Sequence, residues 1–330
     1  MQTPLSLLPD SQTLSARLTM ALNGEDVPHV TVLERKRPRY MSTFPNEIVT
    51  CQLADGSKRR LFCKYEADRD HSAYGHRGGL AYEAEVYRVV LDPVKTFRPA
   101  LVAAHTDDTN GGTWLMLEYL DRCTRLKDIR VRRKGISQPV AMVLSARWLG
   151  RFHAAQQARA SSDPSSFLKR YDAKYYGGWV ERAAQFTAPL QARFPWLVKL
   201  CKRAGDMFAP LLAGPPTVIH GEFYINNILV RRKSVFPVDW ESAALAPGEI
   251  DLAALTEGPW QATVVRRCER EYQRTRWPDG APADFALTLD TARLYLYFRW
   301  LGERADWTLR EKTFWRYDHL HATAKRLGLL

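Results

Sequence analysis

Between Val218 and Val230 the chain reads VIHGEFYINNILV, and from Val238 to Glu241 it reads VDWE. Both stretches set polar residues inside what otherwise look like core strands, and this buried polarity limits what the chain can fold into. NILV and SVFPVDW are short apolar runs joined by the polar Arg231-Arg232-Lys233, a hairpin signature. Burying a carboxylate or an amide is costly unless it is paired. The economical reading is that His220, Glu222, Asn227 and Asp239 form one face of an active-site cleft. A carboxylate, an amide further along, a hairpin and a second carboxylate can hold a divalent cation between the amide oxygen and the Asp. The first carboxylate then faces a substrate hydroxyl. That arrangement suits phosphoryl transfer, with Mg²⁺ as the hard-oxygen cation.

A chain of 330 residues exceeds a typical single domain, which favours two lobes sharing a cleft. With 45% hydrophobic and 25% charged residues it has ordinary globular composition and can bury a real core. Its five cysteines are scattered, with neither a disulfide framework nor a metal knuckle in their spacing, so a reducing cytoplasm is expected. MQTPLSLLPDSQ lacks the basic start and apolar run of a signal peptide. No stretch approaches the roughly 18 apolar residues of a membrane span, so no membrane association is expected. Lys plus Arg at 48 against Asp plus Glu at 36 leaves +12, which favours anionic partners such as nucleotides. The densest basic cluster, Lys127 to Lys134, has no interleaved aromatics and reads as a solvated face, so a nucleic-acid partner is not expected.

Residues 29 to 66 alternate as strands, with Ala54-Asp55-Gly56-Ser57 as a hairpin turn before RRLFCKYE. LAYEAEVYRVVL reads as a helix carrying Glu83, Val86, Tyr87 and Val90 on one face, stopped by Asp92-Pro93. TWLMLEYL adds a further strand, and from Asp121 onward the pattern is mostly helical. The fold class is therefore α+β, with a β-rich lobe over residues 1–120 and a helical one over residues 121–330.

His220-Gly-Glu222-Phe-Tyr-Ile-Asn-Asn227-Ile-Leu resembles the H-G-D-x-x-x-x-N-x-L loop of the aminoglycoside phosphotransferase and choline kinase family. Val238-Asp239-Trp-Glu resembles that family's metal-binding I-D-W-E strand, and Gly248-Glu-Ile-Asp251-Leu-Ala its following D-L-A element. The likeness runs by motif from about residue 29 to residue 255. It implies a two-lobed protein-kinase-like fold and transfer of a γ-phosphoryl from ATP, or from GTP, to a hydroxyl of a small molecule. His220, Glu222 and Asp251 become the catalytic set, with Asp251 bracing the loop, and Asn227 and Asp239 the Mg²⁺ ligands. Lys64 on the third strand, pinned by Glu83, would hold the nucleotide phosphates. The hinge WLMLEYLDR would offer the Glu118 carbonyl and the Leu120 N–H to the base, with Leu117 behind it. The first hairpin lacks a glycine-rich phosphate loop, so Ser42 and Thr43 are the phosphate contacts the likeness implies.

The sequence departs from the family's loop at Glu222, where the family has Asp. One more methylene shifts the carboxylate, but a loose transition state depends on positioning more than on strong base catalysis, so Glu can serve. The alternative is a catalytically silent relative that binds nucleotide or a partner, against which stand Lys64, Glu83, Asn227 and Asp239 together. The +12 charge disfavours polycationic aminoglycosides as acceptors and leaves sugars, amino sugars, amino alcohols and natural products. His153 reads as a buried, satisfied histidine, while His105, His319 and His321 lack ligand-spaced partners. Tyr175, Tyr176 and Trp179 read as core.

Overall fold

The protein is described by a computed structural model that covers residues 8–23, 30–40, 44–66, 77–91, 98–106, 112–130, 135–157, 159 and 166–330. The chain divides into two compact units. One comprises Met1–Ser72, Arg77–Cys123 and Val238–Glu241, and the other Ala73–His76, Thr124–Pro237 and Ser242–Leu330.

In the first unit the Asp10 carboxylate accepts the Gln12 and Thr13 backbone N–H groups at 2.9 Å and so caps the helix Ser11–Asn23. An antiparallel sheet follows, built from β1 (Thr31–Lys36), β2 (Asn46–Gln52), β3 (Lys58–Tyr65), β4 (Leu101–Thr106) and β5 (Thr113–Glu118). Its order among the described residues is β1-β2-β3-β5-β4. The β2–β3 hairpin forms where the sequence predicts it. Asp55 accepts the Ser57 N–H at 2.9 Å, and Gly56 takes φ +79°, a left-handed conformation open to glycine.

Side chains alternate along β3, so Leu61, Cys63 and Tyr65 join Leu14, Leu18 and Val49 in one core, while Lys64 lies on the opposite face. The β2 carboxylate of Glu47 is buried against the Arg35 guanidinium, with both bonds at 2.7 Å, and against the Tyr65 hydroxyl at 2.8 Å. The helix Gly79–Glu85 runs on as a π-helical turn over Val86–Leu91. Glu83, Val86, Tyr87 and Val90 are all buried, as their spacing predicts, and Glu85 stays outside beside Arg88. π turns often mark functional positions.

The second unit is mainly helical. Its longer helices are Gln138–Gln157, Ala173–Thr187, Ala262–Arg276, Phe285–Glu303 and Trp315–Arg326. Asp172 caps the second of these by accepting the Tyr175 N–H at 2.8 Å. Short strands make two small sheets among the described residues. One is ordered β10-β9-β6, from β6 (Thr124–Arg125), β9 (Ile228–Arg231) and β10 (Ser234–Pro237). The other is ordered β7-β11-β8, from β7 (Lys169–Arg170), β8 (Thr217–Ile219) and β11 (Ala244–Ala246). The β9–β10 hairpin turns at Arg232, whose φ is 56°. Residues 220–227 are thus the connection between β8 and β9, each of which is paired to another strand.

Tyr176 and Trp179 are fully buried in the core of this unit, together with Tyr295 of the helix Phe285–Glu303. All five cysteines are free. Among the described residues no helix is long and apolar enough to cross a membrane.

Candidate active site

In the first unit Lys64, Glu83 and Asp239 come together from three separate pieces of chain. The Lys64 ammonium donates to Glu83 Oε1 at 3.1 Å, to Glu83 Oε2 at 2.8 Å and to Asp239 Oδ1 at 2.6 Å. Glu83 Oε1 also accepts the Trp240 backbone N–H at 3.2 Å, and Gly78 N–H donates to the Glu241 carbonyl at 2.8 Å. The V-D-W-E segment is therefore tied to the helix Gly79–Glu85 through both main chain and side chain.

Burial works against the Lys64 charge, but the carboxylates of Asp239 and Glu83 outweigh it and hold the amine above the ordinary lysine range. Burial pushes the Glu83 carboxyl up against the pull of Lys64. Asp239 differs from its two partners in remaining 24% exposed, and it sits at φ +71°. A non-glycine residue held in that region stores strain of the order of 1 kcal/mol or more, a feature that concentrates at functional positions. At the end of β5, Leu117 and Leu120 are buried. The Glu118 N–H donates to the Ala100 carbonyl at 2.9 Å. Ser42 and Thr43 lie outside the described residues.

In the second unit the β8–β9 loop is held by Asp251. Its carboxylate is fully buried on the helix Glu249–Leu255 and accepts the His220 N–H at 2.6 Å and the Gly221 N–H at 2.9 Å. His153 Nε2 lies 3.2 Å from the same carboxylate, and Nδ1 lies 2.9 Å from the Tyr272 hydroxyl. Burial pushes the His153 ring below the ordinary histidine range, against the pull of Asp251. The neutral tautomer that satisfies both contacts donates from Nε2 to Asp251 and accepts the Tyr272 proton at Nδ1.

Gly221 has no substitute here, because its φ is +79° and a Cβ would stand 2.1 Å from the Ser242 carbonyl oxygen. Inside the loop the Glu222 N–H donates to His220 Nδ1 at 3.3 Å, and Asn227 Nδ2 donates to the Glu222 carbonyl at 3.1 Å. The structure thus gathers His220, Glu222, Asn227 and Asp251 around one loop.

It also adds a residue that motif reading does not reach. Arg299, only 4% exposed on the helix Phe285–Glu303, pairs its Nη2 with Glu222 Oε1 and donates Nη1 to the Gly221 carbonyl at 2.7 Å. A signal for it existed in the sequence. Arg299 follows Ala292 and Tyr295 on the apolar stripe of its helix, and a guanidinium at a core position requires an anionic partner. Tyr272, Arg276 and Glu249 form a second buried group beside His153 that no local motif marks. Arg276 Nη1 bonds both the Tyr272 hydroxyl and Glu249 Oε1, the latter at 3.1 Å. Among the described residues no three His, Cys, Asp or Glu side chains cluster as a ready-made metal cage.

The family model of the phosphotransferase enzyme family matches residues 80–312. The chain belongs to that family. Three solved structures show how far the family fold extends along this member. A choline kinase from Cryptosporidium parvum has a TM-score of 0.59 at 15% identity, over 97% of this chain and 98% of that one. A macrolide 2′-phosphotransferase from Brachybacterium faecium has a TM-score of 0.54 at 15% identity, over 97% and 98%. A spectinomycin phosphotransferase, solved with ADP and spectinomycin, has a TM-score of 0.55 at 12% identity, over 98% and 99%. At such identities these likenesses speak for the fold alone. No curated protein matches the sequence.

Proposed function

We propose that this member of the family transfers the γ-phosphoryl group of ATP to a hydroxyl of a sugar, amino sugar, amino alcohol or other small natural product, in the cytoplasm. The observation that carries the reading is the buried ammonium of Lys64 held between Glu83 and Asp239. A fixed, desolvated cation beside a partly exposed carboxylate suits a nucleotide phosphate and its metal, and it is an expensive thing to build as mere packing. Asp239 and Asn227 offer hard oxygen donors that fit Mg²⁺, which takes few protein ligands and completes its shell with phosphate oxygens and water. When bound, that ion neutralises phosphate charge.

The chain's own residues do the rest. Lys64 holds the phosphates, the Glu118 carbonyl and Leu120 N–H meet the base, and Leu117 backs it. Glu222 orients the acceptor hydroxyl and takes its proton as the oxygen bonds to phosphorus and ADP departs. His220 and Asp251 hold the loop that carries Glu222.

The test compares the wild type with Glu222→Gln, using MgATP, MgGTP and a panel of hydroxyl compounds. Saturating the favoured nucleotide is expected to raise the unfolding temperature of both proteins, since a hundredfold excess over Kd contributes about 2.7 kcal/mol. Transfer by Glu222→Gln should fall by roughly 10²- to 10⁴-fold, the range for a positioned acid or base. Equal transfer by the two would remove Glu222 from the mechanism, and no stabilisation by either nucleotide would remove the kinase reading altogether.

A further inference from the structure

We infer that Arg299 is the positioning residue that makes a glutamate workable at the head of this loop. The inference rests on the transfer reading of Glu222. A Glu side chain has one more rotatable bond than Asp, so more rotamer freedom must be frozen to hold its carboxylate in one place. Left to itself, the Glu222 carboxylate would sample several positions relative to an acceptor hydroxyl. The Arg299 fork removes that freedom by gripping two points at once, Glu222 Oε1 through Nη2 and the Gly221 carbonyl through Nη1 at 2.7 Å. The carboxylate is thereby fixed to the backbone of the neighbouring residue.

Gly221 is itself fixed, because Asp251 holds its N–H at 2.9 Å and its left-handed backbone fits closely against Ser242. A chain of rigid contacts therefore runs from the helix Glu249–Leu255 through Gly221 and Arg299 to the Glu222 carboxylate. A carboxylate has about four lone-pair sites and the Arg299 bond uses one, so the anion keeps capacity for a hydroxyl. The guanidinium is set in the core, where burial works against its charge and the Glu222 carboxylate offsets that cost. It is a structural fixture of the unit, not a surface arginine that happens to reach a carboxylate.

Arginine suits this task better than lysine because its planar fork meets two acceptors at a defined angle. A positioning role and a purely structural one differ in what they do to turnover. If Arg299 acts through Glu222, the two residues behave as one unit and their losses do not multiply.

The experiment is a double-mutant cycle on the full chain with Arg299→Met, Glu222→Gln and the double variant, and with Arg299→Lys as the conservative member. Turnover is measured with MgATP and water, or with whichever panel hydroxyl compound supports it. In either case the hydroxyl oxygen bonds to the γ phosphorus, the bond to the bridging oxygen breaks, ADP leaves, and the proton passes by way of Glu222 to solvent. Arg299→Met and Glu222→Gln are each expected to lower kcat by about 10²-fold or more, with KM for ATP within about twofold, and the double variant to lose no more than the worse single.

Should Arg299→Met fail to fold, Arg299→Lys with either Glu222 or Gln at position 222 completes the same cycle. A correctly folded Arg299→Lys is expected to lose about tenfold or more in kcat, because an ammonium cannot reproduce the two-point grip. Wild-type kcat in a folded Arg299 variant, or losses that multiply in the double variant, overturns the positioning role and leaves the transfer reading standing. A wild type that turns over neither water nor any panel compound overturns the transfer reading and the positioning role with it.

Discussion

Asp251→Ala is expected to lose about 3–5 kcal/mol of stability, the cost of leaving several buried donors without their carboxylate. The Asp251 carboxylate is the acceptor for the His220 N–H at 2.6 Å and the Gly221 N–H at 2.9 Å, and it faces His153 Nε2 at 3.2 Å. Each buried donor left without an acceptor costs about 1–3 kcal/mol. Alanine supplies no acceptor, and the loop it would release lies some thirty residues away in sequence, so no local turn restores the bonds. Against a total of roughly 5–15 kcal/mol the loss is severe. Urea unfolding should show the midpoint falling sharply at nearly unchanged slope. A midpoint within experimental error of the wild type would mean that water or a neighbour replaces the carboxylate, and the bracing role would be wrong.

The second large effect is on turnover. Lys64→Met should reduce phosphoryl transfer by about 10³-fold or more, the upper end of what one preorganised charged donor supplies. The same substitution leaves the buried Glu83 carboxylate and the partly exposed Asp239 near each other without their cation, so the variant is also expected to be less stable, by about 1–3 kcal/mol. Asp239→Asn separates the two consequences. The amide keeps the size of the side chain, and Glu83 continues to hold Lys64 at 2.8 Å, so the fold should survive. The charge that would face the metal is gone, and transfer should still fall by about 10²- to 10³-fold. The paired measurement is the far-UV circular dichroism of each variant beside its initial rate with MgATP. If Asp239→Asn unfolds, Asp239 is mainly an anchor for Lys64. If it folds and transfers phosphate normally, it is no metal ligand.

Much of this arrangement was legible in the sequence because its residues are polar groups at fixed spacing inside apolar runs. Lys64 could be placed because the Asp55-Gly56 turn fixes the phase of β3, and the phase decides which face each side chain takes. Glu83 was separable from Glu85 by helical periodicity alone, since one shares a face with Val86, Tyr87 and Val90 and the other does not. The α+β character and the β9–β10 hairpin followed from a change of period and a polar turn.

Arg299 was not legible in the same way. It lies 77 residues beyond Glu222 in a helix that reads as uniform core, and no local pattern says which anion a buried guanidinium will meet. The same holds for Tyr272 and Arg276, whose partners His153 and Glu249 come from other helices. The left-handed backbone of Asp239 was invisible for a different reason. Asp tolerates that conformation better than most residues but does not signal it, and the Lys64 and Glu83 contacts that accompany it here are made only by long-range folding.

Transfer of a phosphoryl group by this chain onto a small-molecule hydroxyl is tested most directly by weighing the products. The wild type is incubated with MgATP and the hydroxyl panel, and both the nucleotide and the panel compounds are followed by mass spectrometry. At least one compound is expected to gain a single phosphoryl group in step with ADP formation, and Glu222→Gln to yield almost none of it under the same conditions. Tight nucleotide binding by a wild type that phosphorylates no member of the panel would contradict phosphoryl transfer and favour a silent, nucleotide-binding relative.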